Sequence, residues 1–391
     1  MSQLPNFTQS LTQLIACPSI SSTQPSWDQG NSKVIQLLGT WFEQLGFSID
    51  IQKVPTAHKG GENKYNLLAK LGSGEGGLLL AGHSDTVPFD ESRWQSDPLG
   101  VVNKDDKFYG LGTCDMKGFF AFILQACKGL NAKQLKKPLY ILATADEETT
   151  MAGARFFSKS QAIKPDVAII GEPTNLVPVM MHKGHMTHRI SVQGKSGHSS
   201  KPSLGVNAIE IMYEVIGALI NLQKQFNVNY KNEAFDVPAP TLNMGAIKGG
   251  DNANRICGHC ELDLDFRSLP GMSDDEILHW LSESLKPLAE KYPGRISFKE
   301  LHSSSPSFEQ TKHSDNKACF VSIAEEISGH KCCAVNYATE APFIQQLGCQ
   351  TIVLGPGSIN QAHQPNEFLA HSEIDKTEKL LIAMIQHYCL T

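Results

Sequence analysis

Four short runs in this 391-residue chain have no polar face: Leu78–Ala81, Leu139–Ala145, Val167–Gly171 and Thr351–Leu354. A strand sends alternate side chains to opposite sides of its sheet, so a run that is apolar throughout has to be covered on both faces. Helical patterns lie around these runs. Val34, Ile35, Leu37, Leu38, Trp41, Phe42 and Leu45 form one, closed by Gly46, and Phe119, Phe120, Ile123, Leu124, Cys127 and Leu130 form another. Strands alternating with helices predict an α/β fold with a mixed, largely parallel sheet covered by helices.

The texture changes at Lys183. A strand over His185–Gln193 is followed by a helix over Val206–Phe226, with Ile209, Met212, Tyr213, Ile216, Leu219 and Ile220 on one face. Strands over Thr241–Lys248 and Ile256–Arg267 come next. Ser273 and Glu276 then form a capping box for a second helix, and Arg295–Leu301 is a closing strand. The order β-α-β-β-α-β is that of a ferredoxin-like α+β domain. The chain is also longer than one core usually holds, so the expected domains are 1–182 with 302–391, and an insert over 183–301. Gly72–Gly77 reads as a hairpin loop, since no Lys-Ser/Thr follows to make a phosphate cradle. After the insert, helices are expected over Asp315–Ile327, Glu340–Leu347 and Ser372–Tyr388, with a strand over Cys332–Asn336.

The apolar runs end at side chains that bind metals. His83 follows the first, Glu147 and Glu148 the second, Glu172 the third, and His363 comes after Leu354–Gly357. Asp115 adds a carboxylate at a helix entrance. Ligands of open α/β sheets collect at the carboxyl ends of strands, so residues this far apart in sequence can converge. Two imidazoles with several carboxylates favour Zn²⁺, with Co²⁺ or Mn²⁺ also accommodated, whereas an all-oxygen Mg²⁺ or Ca²⁺ site would not need histidine. The set is too large for one open metal and suits two that share a bridging carboxylate. Asp85, two residues past His83, could hold the second ring nitrogen. Any one of these acids also fits a helix cap or a turn; their joint occurrence at strand ends is what points to a metal.

Gly82–Pro88 (Gly-His-Ser-Asp-Thr-Val-Pro), Gly112–Gly118, Asp146-Glu-Glu148 and Gly171-Glu-Pro-Thr174 resemble motifs of the dinuclear-zinc aminoacylase and carboxypeptidase superfamily, in the same order and along essentially the whole chain. The resemblance implies two Zn²⁺ per subunit, with Co²⁺ as a substitute. Asp115 would bridge them, His83 and Glu172 would complete one, and Glu148 and His363 the other. Asp85 would orient His83, and Glu147 would be the general base for a metal-activated water attacking an amide. It also implies a homodimer built by the insert, in which His198 of Gly194-Lys-Ser-Gly-His198 reaches the other subunit's site as an oxyanion donor. Taken alone, that histidine reads as an exposed loop residue.

Within the superfamily, Leu139–Glu148, Asn254–Cys257, Asn336–Phe343 and Leu354–Pro365 resemble the branch that removes acetyl from N2-acetyl-ornithine in arginine biosynthesis. The nearest rival removes succinyl from succinyl-diaminopimelate. A homologue that only binds an amino acid or metal would not need Glu147. Arg267 and Arg255 could pair with a substrate carboxylate, Glu340 could meet a distal ammonium, and Asn254 and Gly355 are further candidate contacts. For the two arginines and Glu340, a structural ion pair or a solvated position is the other reading. The net charge of −6 without a basic stripe argues against nucleic acid, and no apolar run reaches the roughly 20 residues of a membrane span. The polar N-terminus lacks a secretory layout, and ten scattered cysteines suit reduced thiols in the cytoplasm. Cys257-x-x-Cys260 has no second pair, His182, His185 and His188 alternate faces on a strand, and no Gly-x-Ser-x-Gly elbow is present.

Overall fold

A computed structural model describes residues 4–55, 62–160, 163–311 and 319–391. The chain forms two compact units, one of Met1–Met180, Gln310–Cys333 and Thr339–Thr391, the other of Met181–Glu309 and Ala334–Ala338. The second unit therefore extends the expected insert at both ends and takes in a short later segment.

The first half of the chain supplies α1 (Phe7–Ile15), α2 (Ser32–Gln44), β1 (Ser48–Val54), β2 (Lys64–Leu71), β3 (Leu78–His83), β4 (Val102–Lys104), β5 (Lys107–Tyr109), α3 (Gly118–Ala126), β6 (Leu139–Thr144), α4 (Ala152–Ser158), β7 (Val167–Ile170) and β8 (Val179–His182). The second unit contains β9 (His185–Gln193), α5 (Ala208–Asn229), β10 (Thr241–Gly249), β11 (His259–Arg267), α6 (Asp274–Lys291) and β12 (Ile296–Ser305). The chain then adds α7 (Phe320–Ser328), α8 (Ala341–Gln345), β13 (Gln350–Val353), β14 (Phe368–Ala370) and α9 (Ile374–Ile385). The first residues of the helix expected over Asp315–Ile327 lie outside the described residues.

The main sheet runs β1-β2-β6-β3-β7-β13-β8, and two short strands pair with β8: Phe308–Glu309, and Cys333–Val335 within the stretch expected over Cys332–Asn336. Its centre, β6, β3, β7 and β13, is parallel, and these are the four apolar runs. β1, β2 and β8 are antiparallel additions at the margins. Helices α1, α2, α3 and α9 cover the sheet with Leu11, Leu14, Phe42, Phe122, Leu381 and Met384 among the buried side chains. One expectation fails. Residues 72–77 are not a hairpin loop, because β6 lies between β2 and β3. The fully apolar β6 takes the interior position that a β2–β3 hairpin would have filled. A small sheet, β4-β5-β14, brings the segment after His363 beside the residues that lead into α3.

The second unit is a four-stranded antiparallel sheet, β10-β11-β9-β12, packed against α5 and α6. Ser273 and Glu276 form the expected capping box. Helix α5 departs from the expected single stripe. Met212, Val215, Leu219, Leu222 and Phe226 are buried, whereas Ile209, Tyr213 and Ile220 are exposed. At 3.6 residues per turn the two sets point roughly a third of a turn apart.

Candidate metal centre

The parallel strands end together, and their ends carry the site. His83 closes β3, Glu147 and Glu148 follow β6, Glu172 follows β7, and His363 lies in the loop after β13. Asp115 precedes α3. His83 Nε2 is 3.1 Å from Asp115 Oδ1 and 3.8 Å from Glu172 Oε1. His363 Nε2 is 3.0 Å from Glu148 Oε2 and 3.7 Å from Asp115 Oδ2. The two oxygens of Asp115 thus face two different imidazoles. Donor atoms of His83, Glu147 and Glu172 lie within 4.8 Å of one another, as do those of His83, Asp115 and Glu148.

Crowding of acids shifts their protonation. Burial, and then the charge of Glu172, push Glu147 well above the usual carboxylate range. Burial raises Glu172 similarly, partly offset by His83. Burial alone would lower His83, but its bond to Asp115 and the charges of Glu172 and Glu147 raise it well above an ordinary imidazole. His363 is raised to about 9, chiefly by its bond to Glu148. Asp115 is held below the usual range because His83 and His363 outweigh its burial. Glu148 Oε1 is buried with no hydrogen-bond partner. Mixed imidazole and carboxylate donors, one shared carboxylate and an orphaned buried oxygen fit divalent metal ions, whose charge would offset the crowded acids.

The supports of these side chains differ in part from the sequence reading. His83 Nδ1 bonds the backbone carbonyl of Asp85 at 3.0 Å, while the Asp85 carboxylate is 3.8 Å away. That carboxylate instead accepts the N–H groups of Glu147 (3.3 Å) and Glu148 (3.1 Å). Asp85 therefore orients His83 through its main chain and places the Glu147–Glu148 pair through its side chain. Its pKa rises to about 6, mainly from burial. Asp146, just before Glu147, has φ +58°, a conformation uncommon outside glycine. Ser21 Oγ donates to its carboxylate at 2.9 Å, and buried Lys64 pairs with it at 3.1 Å and with Asp28 at 2.7 Å. Neither the Lys64 network nor Glu367, buried beside the Asp115 loop, was foreseen. Glu367 had a weak signal in Gln364-Pro-Asn-Glu367, immediately after the His363 stretch.

Glu340 is fully buried. Its Oε2 accepts the Thr144 hydroxyl at 2.7 Å, its Oε1 has no partner, and burial raises its pKa to about 7. Gly355 is packed so closely that an added Cβ would lie 2.2 Å from the Gly171 carbonyl oxygen. In the second unit, Arg267 makes a two-point pair with Asp265 (2.9 and 3.2 Å), and Arg255 is paired with Asp251 at 2.5 Å. Asn254 accepts the Ser199 N–H through its carbonyl. His198 is on an exposed loop, where its Nδ1 accepts the Ser200 N–H at 3.2 Å.

The family described as peptidase family M20/M25/M40 matches residues 79–387. The chain belongs to this family. An acetylornithine deacetylase of Photorhabdus laumondii subsp. laumondii is 52% identical over 389 residues, which is 100% of this chain and 99% of that protein. An M20 family metallo-carboxypeptidase from Sulfolobus solfataricus has the same fold, with a TM-score of 0.75 and 18% identity over 98% of this chain and 99% of that one. A Bacillus subtilis M20 peptidase described as binding a dinuclear metal gives a TM-score of 0.64 and 14% identity over 98% and 97% of the two chains. Apart from Leu78, the first residue of β3, the four parallel strands and their ligand-bearing ends lie within the family match. Among the described residues, no helix is long and apolar enough to cross a membrane.

Proposed function

We propose that this M20 enzyme hydrolyses N2-acetyl-L-ornithine to L-ornithine and acetate, a step of arginine biosynthesis, in the cytoplasm. The full-length 52% identity to a protein named acetylornithine deacetylase carries the reading. The ten cysteines scattered along the chain suit reduced thiols in a reducing compartment.

In this proposal His83, Asp115 and Glu172 hold one Zn²⁺, and Asp115, Glu148 and His363 hold the second, with Co²⁺ able to substitute. When bound, the metals polarise the amide carbonyl and acidify the attacking water. Glu147 stands outside those two ligand sets. It takes the water's proton and hands it to the departing amine, a task helped by a carboxyl that burial makes less acidic. Asp85 keeps Glu147 and Glu148 on their separate tasks by binding both amides. His198 donates to the oxyanion from the other subunit. Because its Nδ1 accepts the Ser200 N–H, the neutral ring carries its proton on Nε2, the atom an oxyanion needs. Arg267 and Arg255 meet the substrate's carboxylate, Glu340 offers its unpartnered Oε1 to the ammonium, and Asn254 and Gly355 are further contacts.

Amine release from acetylornithine and from succinyl-diaminopimelate, with and without a chelator, tests this. The expected outcome is chelator-sensitive release from acetylornithine. Release only from the succinyl substrate would replace the proposal with the desuccinylase reading, and chelator-insensitive turnover would remove the metals from it.

A further inference from the structure

Glu367 is fully enclosed, and its carboxylate ends a set of main-chain donors. Its Oε1 accepts the N–H of Cys114 at 2.7 Å and of Asp115 at 2.9 Å, and both its oxygens lie 3.1 Å from the N–H of Gly112. Its own carbonyl accepts the Gly110 N–H at 3.0 Å. These four amides belong to the loop between β5 and α3, where neither sheet nor helix supplies them with acceptors. The main-chain groups form a concave anion nest, and Glu367 fills it.

That loop carries Asp115, whose two oxygens face His83 and His363. Glu367 follows His363 by four residues in the same segment, and β14 begins immediately after it. Pairing of β14 with β5 sets Phe368 opposite Tyr109, so the strand that starts just after Glu367 is in register with the strand that ends just before Gly110. One carboxylate therefore ties the segment that bears one imidazole to the loop that bears the shared acid.

We infer that Glu367 is a positioning residue that fixes the Asp115 carboxylate relative to His363 and thereby sets the affinity of the centre for its metals. The inference rests on Asp115 and His363 being ligands. Glu367 touches neither substrate nor reacting atoms; it acts through the backbone of residues 112–115. Removing it leaves three enclosed N–H groups unpaired and frees the loop to drift. Outer partners of this kind typically change metal affinity about 10–100-fold.

The test is competition for Zn²⁺ between a calibrated chelator and metal-depleted wild type, Glu367→Ala, Glu367→Gln and Asp115→Ala, with thermal unfolding of each metal-free protein. Glu367→Ala is expected to bind Zn²⁺ about 10–100-fold more weakly. Glu367→Gln retains a carbonyl for the Cys114 and Asp115 amides and should lose less, roughly 3–10-fold, with little change in metal-free unfolding. Wild-type affinity in Glu367→Gln and Glu367→Ala would overturn the inference, as would affinity losses matched by an equal fall in metal-free stability. If Glu367→Ala does not fold, Glu367→Gln decides alone. Should Asp115→Ala itself bind Zn²⁺ normally, the ligand assignment fails; loss in Asp115→Ala without loss in the Glu367 variants refutes the role of Glu367 only.

Discussion

At the scale of single residues, the centre depends on charges that never contact substrate. Lys64 sits below the turn that presents Glu147, with its ammonium 2.7 Å from Asp28, 3.1 Å from Asp146 and 2.7 Å from the Gln29 carbonyl. Burial would lower its pKa, but Asp146 and Asp28 more than compensate, so it stays charged. Replacing it by methionine keeps the volume and removes the charge. Two enclosed carboxylates then lose their partner, a change that costs about 3–5 kcal/mol when a buried pair is broken from one side. Lys64→Met is expected to shift the urea unfolding curve by that amount, and Asp28→Asn in the same background should recover part of it. The same ion pair anchors the side chain of Asp146, the residue before Glu147, so turnover should fall while bound metal is retained. Unchanged unfolding would show that the pair contributes little.

At the scale of elements, legibility followed length and apolar continuity. β3, β6, β7 and β13 were readable because a strand buried on both faces has no polar position, and their ends gave His83, Glu148 and Glu172 directly. β4, β5 and β14 are three residues each, too short for any period to show, and they are what carry Glu367 to the Asp115 loop. The Asp85 carboxylate was misplaced because sequence spacing cannot distinguish a carbonyl from a side-chain oxygen of the same residue. Strand β8 holds a further hidden feature. His182 is buried against the Phe308 ring, its Nδ1–H donates to the Lys183 carbonyl, and burial lowers its pKa to about 4. Above pH 6.5 the ring is neutral folded or unfolded, and it has no effect on stability. As pH falls from about 6.5 to 4 the unfolded chain gains a proton that the folded one refuses, so stability drops, by roughly 3 kcal/mol in all. Below pH 4 this loss is complete. Metal-free His182→Asn, which keeps a donor for the carbonyl, should therefore show a flatter decline than wild type between pH 7 and pH 4.5. Parallel declines would mean that His182 is not the group responsible.

At the scale of the molecule, the proposed role of His198 requires the proposed dimer. The second unit offers what a self-complementary interface needs: Ile209, Tyr213 and Ile220 exposed along α5, and β10, an edge strand of its sheet among the described residues, with Ile247 exposed. In a two-fold dimer each site would draw Glu147 from one subunit and His198 from the other. Glu147→Gln and His198→Ala homodimers should each lose on the order of 10²–10³ in turnover or more. Mixing them after dissociation and reassociation separates the two arrangements. If His198 serves its own subunit, every site in the mixture lacks one group and activity stays at the level of the parents. If it crosses to the partner, each mixed dimer pairs an intact Glu147 with an intact His198 at one of its two sites. Equal mixing makes half of the dimers mixed, so about a quarter of wild-type activity should return. Tyr213→Lys, by placing a charge in the exposed stripe, should weaken the dimer in sedimentation and abolish this recovery while leaving Zn²⁺ binding by the first unit intact. Recovery in a Tyr213→Lys protein that sediments as a monomer would contradict both the interface and the crossing histidine.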